Sequence, residues 1–266
     1  MEIINRNFFR LLRSGSLNEF VALEPMSNFK WNRLFEMLKA QDVVSIALRG
    51  VKNYQYDETA TIPKFLIENF SMASNGTTDK STCHLSNPIL NNRLKRIQDK
   101  ERHAIDTSVE TLQLLEIIVE NASRTLNHGI PIKELLNLGK FLRTQGDHVD
   151  FVKLDTWLQN LHLRRMAQLQ GSIIIIVFNF DNNEVPFVQK IESKALSLTM
   201  RAVNNIATDT AKEWNFHQSR SGFVKNNSSV MRRNLRRSFR FIRYAPVETV
   251  SNFVNNFIRS LSEIEE

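Results

Sequence analysis

From Asn87 to Asn127 the chain contains no glycine, and its one proline, Pro88, stands where a helix tolerates proline, in the first turn. Through this stretch Leu90, Leu94, Ile97, Ala104, Val109, Leu112, Leu115, Val119, Ala122 and Leu126 keep near-helical spacing. The pattern predicts one very long helix over about 87–127, or two joined near the polar patch Gln98 to His103, closed by His128-Gly129. Punctuation is as sparse elsewhere. Eight glycines and six prolines serve all 266 residues, which favours long helices over many short strands.

The other segments agree with that reading. Ser27 precedes the helical stripe Phe29, Trp31, Leu34, Phe35 and Leu38, and Asp42 opens a second stripe of Val43, Ile46, Ala47 and Val51. Pro63 opens a short helix through Phe70, and Ser74 to Ser81 reads as a surface loop. Pro131 starts a helix to Arg143, Asp150 caps Phe151 to Asn160, and Glu192 to Thr208 forms another. Ile173 to Val177 is β-branched and, taken alone, reads as strand. No second strand-like run exists to pair with it, and Leu163, Met166, Leu169, Ile173, Ile176 and Phe180 share one helical face. The segment is therefore assigned to a buried helix. The expected class is all-α, a multi-helix globular bundle. Residues 1–266 form a single helical domain, divisible into N-terminal helices over 1–73 and a long-helix and C-terminal region over 87–266.

Composition narrows the class further. Hydrophobic content of 42% with 24% charged residues belongs to a globular chain. The lone cysteine, Cys83, rules out an internal disulfide and a cysteine-based zinc site, and fits a reducing compartment. Arg6, Arg10 and Arg13 interrupt the apolar residues of the first helix, unlike a secretory leader. The longest apolar run, Ile173 to Phe178, is far short of the roughly 20 residues that span a bilayer. A cytoplasmic protein without membrane insertion is the expectation.

Charge is concentrated in one place. Trp214 to Val247 holds Arg220, Lys225, Arg232, Arg233, Arg236, Arg237, Arg240 and Arg243 and no acidic residue, against a net charge of +7 for the whole chain. These eight are the candidate binding residues, for a protein partner or nucleic acid. Met231, Leu235, Phe239 and Ile242 form a helical stripe expected to anchor this segment to the core. Arg232, Arg236, Arg240 and Arg243 occupy the neighbouring stripe, with Arg233 and Arg237 beyond it. A membrane role is disfavoured because that narrow apolar face is assigned to the core. Pro246 breaks the helix, and a last one carries Val250, Phe253, Val254, Phe257, Ile258 and Leu261 on one face before an acidic tail.

Catalytic chemistry has few footholds. Gly171-Ser172 followed by Asp181 and Glu184 is similar to an element of nucleotidyltransferases, whose Gly-Ser pair holds a triphosphate and whose paired carboxylates bind magnesium. Here the carboxylates are three residues apart, which strand alternation sends to opposite faces. Arg96 with His103, and Arg143 with His148, match the loose spacing of HEPN-type ribonucleases. No histidine pair or carboxylate arrangement has zinc-ligand spacing, and no phosphate-binding glycine loop is present. Neither a metal nor another cofactor is expected. Trp31, Trp157 and Trp214 are assigned to the core or to helix ends.

The order of these elements resembles bacterial nucleotidyltransferase-like proteins of uncharacterised function. The resemblance is carried by Phe9-Leu11-Leu12, Trp31-Leu34 and Gln41-Asp42-Val43-Val44 at one end. Gly129-Ile130-Pro131-Ile132 with Leu135 and Val149-Asp150-Phe151 carry it through the middle. Asn215-Phe216, the arginine-rich helix, Tyr244 and Pro246 carry it at the other end. That family's catalytic core is a small mixed sheet with a G-D-x-D element, expected between the long helix and Gly129, where this chain simply continues. The resemblance therefore implies the helical frame of such an enzyme without its sheet. It implies a non-enzymatic binding or accessory role. The enzymatic alternatives are a divergent nucleotidyltransferase using Asp181 and Glu184, or a ribonuclease using Arg96 and His103.

Overall fold

A computed structural model describes residues 1–54, 62–63, 67, 83–103, 108–205, 217–218, 224–225 and 228–262. The expectations for all but Pro63 and Ile67 of the segment Pro63 to Phe70, for the Ser74 to Ser81 loop, for Trp214 and for the acidic tail lie outside them. The described helices are α1 (Ile3–Leu17), α2 (Asn28–Ala40), α3 (Val44–Asn53), α4 (Pro88–Arg102), α5 (Val109–His128) and α6 (Ile132–Gln145). They continue with α7 (Phe151–Asn160), α8 (Arg164–Phe178), α9 (Ala195–Asn204), α10 (Ser228–Phe241) and α11 (Pro246–Ser262). A two-residue antiparallel pair, β1 (His217–Gln218) with β2 (Val224–Lys225), is the one ladder among the described residues. It leaves the class all-α.

Of the two arrangements expected for 87–127, one long helix or two joined near Gln98 to His103, the structure has two helices. α4 ends at Arg102 with His103 as its C-cap, and α5 starts after Ser108. Gln98 Nε2 donates to Glu116 Oε1 at 2.7 Å. In one continuous helix those residues would stand about 27 Å apart along the axis, so the chain folds back. The break falls at the end of the polar patch, where Glu101 is buried. Its carboxylate accepts from the Ser108 N–H at 2.7 Å and pairs with Lys153 at 2.5 Å. Burial alone would push this carboxyl upward, but the Lys153 ammonium and the Ser108 N–H hold it below its ordinary range.

The β-branched run is helical. In α8 Ile173, Ile174, Val177 and Phe178 are buried, while Ile175 and Ile176 pack partly against the core. A helix apolar on nearly every side suits this position, because α5, α6, α9 and α1 surround it. Phe178 meets Phe9 of α1 edge-to-face with ring centroids 5.7 Å apart, joining the first helix to the second half of the chain. One contiguous set of buried apolar side chains runs from Phe8 to Ala245.

α1 and α3 touch backbone to backbone. A Cβ on Gly15 would fall 1.9 Å from the Ile46 carbonyl oxygen, and one on Gly50 would fall 2.2 Å from that of Leu11. Only glycine permits this approach. The chain after α1 is strapped to it by Asn7, whose side chain donates to Glu24 O at 2.7 Å and accepts from Glu24 N at 3.0 Å. Among the described residues no helix is long and apolar enough to cross a membrane.

Candidate interaction surface on the C-terminal helices

α10 and α11 attach to the bundle at the end of α5, and Asn127 is the point of attachment. Its carbonyl accepts from Arg237 Nη1, and its Oδ1 accepts from Asn252 Nδ2 at 3.0 Å and Asn256 Nδ2 at 3.2 Å. A second set of bonds ties α11 to the start of α4. Glu248 accepts from the main-chain N–H groups of Ser86 at 2.5 Å and Asn87 at 3.1 Å. Asn87 Nδ2 reaches Ser251 Oγ at 2.8 Å, and Asn255 Nδ2 donates to Ser86 O at 2.8 Å. Helix polarity explains both choices. A carboxylate sits at a helix N-terminus and a guanidinium at a helix C-terminus, each facing the complementary end of the dipole.

The consequence for α11 is an inverted amphipathic helix. Among its described side chains the buried ones are Glu248, Thr249 and Asn252, all polar, with Phe253, Asn256 and Phe257 half-buried. Val247, Val250, Val254 and Ile258 are exposed, Val250 by 52% and Ile258 by 57%. At about 100° per residue the four fall on one side of the helix, turned away from Glu248. Leaving such a side chain in water forgoes about 1.5 kcal/mol or more that full burial would contribute.

α10 departs from expectation in the same way. Helical spacing assigns Leu235 and Phe239 to the core, yet both are exposed, Phe239 by 64%, and Ile242 is half-buried. The residues that enter the core are Arg237, only 2% exposed, then Phe241 and Tyr244. These stand at i, i+4 and i+7, directly opposite Leu235 and Phe239 on the helix. The inversion has a specific cause, since Arg237 supplies the donor that the Asn127 carbonyl lacks at the end of α5. Arg237 thus leaves the candidate binding set. Tyr244 lies under Arg165, whose guanidinium is 5.7 Å from the ring centroid. Burial, and next the Glu192 carboxylate, push its phenol upward, while Arg243 and Arg165 oppose the shift.

Of the other candidate binding residues, Arg236 and Arg243 are exposed and Arg240 is half-buried. Arg243 follows α10, in the turn before α11. Arg232 and Arg233 belong to α10 and Lys225 to β2, while Arg220 lies outside the described residues. The structure therefore exposes Arg236 and Arg243, as it does Leu235 and Phe239, and removes Arg237 from the candidate surface. The missed component is the valine stripe of α11. Its signal is present in the sequence, because Thr249, Asn252 and Asn256 form a polar stripe that turns out to be the docking side.

Of the candidate catalytic residues, Ser172, Asp181, Glu184 and Arg143 have structural partners. Gly171 and Ser172 lie inside α8, not at its start. A Cβ on Gly171 would come within 2.3 Å of Val188, leaving no room there for a phosphate. Ser172 Oγ donates to Gln168 O at 2.7 Å and accepts from Glu192 N at 3.0 Å. Asp181 and Glu184 form a capping box around the 3-10 turn Asn182–Glu184, and Glu184 also holds Arg143 at 2.8 Å. Arg143 reaches Glu19 as well and stacks over Phe180. Arg96 and His103 are exposed and about 10 Å apart along α4. Trp31 is buried, and Trp157 is half-buried with Lys153 over its ring. No group of three or more metal-ligating side chains gathers among the described residues. Comparison with protein-family models, curated proteins and solved structures returns no match.

Proposed function

We propose that the chain is a non-enzymatic binding or accessory protein that meets an acidic partner through the basic surface of α10 and the turn after it. The observation that supports this reading is the setting of two exposed arginines, which, unlike exposed Arg33, Arg96 and Arg201, lie in a run of basic residues with no acid between Trp214 and Val247. Arg6, Arg10, Arg13, Arg124 and Arg143 each hold a glutamate. Arg236 and Arg243 stand exposed with no ion pair among the described residues, in a stretch of sequence that has no acid to offer. Guanidinium groups in that situation favour carboxylate or phosphate, which they bind bidentately. The resemblance to nucleotidyltransferase-like proteins belongs to the same proposal: the chain keeps a helical frame of that kind and uses its surface, not a reaction.

The test compares the full chain with an Arg236→Ser/Arg243→Ser variant for binding to poly-glutamate and to single-stranded RNA across a salt series. The expected result is binding that weakens with salt, and a variant about tenfold weaker with a shallower salt slope. Equal binding and equal slope in the variant would overturn the reading. So would magnesium-dependent labelling of an acceptor by ATP that is lost on Asp181→Ala.

A further inference from the structure

The basic surface is only half of what the C-terminal helices present. α11, which packs against α10, turns Glu248, Thr249 and Asn252 to the bundle and Val247, Val250, Val254 and Ile258 to water. The exposed residues Val247, Val250, Val254 and Ile258 are spaced three, four and four apart. Intervals of three and four keep one line of side chains facing a partner helix, the seam that a second helix fits. Leu235 and Phe239 on α10 add apolar surface next to Arg236.

We infer that this surface is the dock for one amphipathic helix of a partner protein, whose apolar stripe lies along Val247, Val250, Val254 and Ile258 and whose acidic flank meets Arg236 and Arg243. This rests on the proposed function and names the partner's chemistry. The choice of occupant follows from charge. Between Trp214 and Ile258 the one acidic residue is Glu248, which is buried on the bundle side. A second copy of the same face would therefore set arginines against arginines, with no carboxylate to relieve them. A phosphodiester backbone answers the arginines but has nothing to place on four aliphatic side chains. A flat anionic lipid surface answers both, but it does not require a seam at helix-pairing intervals. An acidic amphipathic helix answers the charge, the apolar stripe and its spacing together.

The experiment uses the full chain and a synthetic helix of about three heptads, with leucine at its a and d positions and glutamate on both flanks. Controls are a scrambled peptide of equal charge, a peptide with lysine flanks, phosphatidylglycerol vesicles, and sedimentation of the protein alone. Binding of the acidic helix, and not of the scramble, is expected, together with a loss of about tenfold or more in Val250→Asp and in Val254→Asp. Both positions are exposed, so unchanged far-UV circular dichroism of these variants shows that the loss is local. Arg236→Ser/Arg243→Ser is expected to flatten the salt dependence and to leave the residual binding sensitive to Val254→Asp.

No binding of the acidic helix up to about 100 μM overturns the inference. It is equally overturned if the scramble binds as well, if vesicles bind and the helix does not, or if a dimer forms that Val254→Asp dissolves. Retention of salt-dependent poly-glutamate binding in any of those cases leaves the proposed basic surface intact. Loss of both removes the two readings together.

Discussion

The guanidinium of Arg237 donates to the main-chain carbonyl of Asn127, so the last residues of α5 are capped by a side chain 110 positions later. Its neighbour Arg236 is exposed to solvent. Two adjacent arginines of one basic run therefore do opposite jobs. Arg237→Ala is expected to destabilise the protein by about 1–3 kcal/mol, since it strips a charged donor from a half-buried carbonyl. Arg236→Ala is expected to stay within about 0.5 kcal/mol of wild type. Urea denaturation of the two variants measures the difference, and equal midpoints would refute it.

Glu248 is the counterpart of Arg237 at the other junction. Its two oxygens accept the N–H groups of Ser86 and Asn87. Glu248→Ala leaves both donors without their acceptor, at an expected cost of about 1–3 kcal/mol. Glu248→Gln retains one acceptor oxygen and is expected to lose less. Thermal melts rank the three proteins wild type, glutamine, alanine; any other order would show that the carboxylate does not hold this junction.

The crossing of α1 and α3 leaves no space for a methyl group. Gly15→Ala and Gly50→Ala each place Cβ against main-chain oxygen, where no side-chain movement relieves the clash. Each is expected to cost about 1–3 kcal/mol, the usual range for overpacking, or more where the helices must separate. Gly146→Ala meets nothing within 4 Å and serves as the control. A melting temperature for Gly15→Ala equal to that of the control would contradict the contact.

Acid sensitivity follows from Glu101. Its folded-state carboxyl is held below the ordinary value of 4.5 against the opposing effect of burial, by Lys153 and then the Ser108 N–H. A depressed carboxylate contributes stability that is present above its unfolded value and lost as pH falls through its folded value. Melting temperature is thus expected to decline below about pH 4.5. In Lys153→Met the main opposing group is gone, so the decline is expected to begin at higher pH. Superimposable pH profiles for the two proteins would exclude this pairing as a source of acid lability.

Cys83 is the only thiol, and burial, followed by the carboxylates of Glu116 and Glu120, pushes it up to about 12. Thiolate is the reactive form, so labelling by Ellman's reagent at about pH 8 is expected to be slow in the native protein and fast in urea. Comparable rates in both conditions would place Cys83 in an ordinary exposed setting.

How far the sequence carries depends on whether a helix's environment can be inferred from its own residues. Ile173 to Phe178 has a strand-like composition, yet the helical spacing of Met166, Leu169 and Ile173 places it correctly, because a helix surrounded by others buries both its stripe and its flanks. The α4–α5 break is visible only as a polar patch, since what stabilises it is a contact between Glu101 and Lys153 on another helix. α10 shows why the rest is illegible. It carries two stripes at helical spacing, Leu235–Phe239 and Arg237–Phe241–Tyr244, and periodicity favours the more apolar one. What reverses the choice is a carbonyl at Asn127, far away in sequence and invisible to any local pattern.

Asn127 also has a dynamic consequence. α10 and α11 share that anchoring residue, and they hold it through amide and guanidinium groups that water can replace, while α1, α5 and α8 are locked by interdigitated apolar side chains. Opening of the terminal pair uncovers Phe241, Tyr244 and Ala245 and frees half-buried Ile242, Phe253 and Phe257, while Val247, Val250, Val254 and Ile258 already face solvent. Amide hydrogens in α10 and α11 should therefore exchange through a partial opening that leaves α5 and α8 protected, giving the chain two tiers of stability. The pair is a hinged leaf on a rigid block.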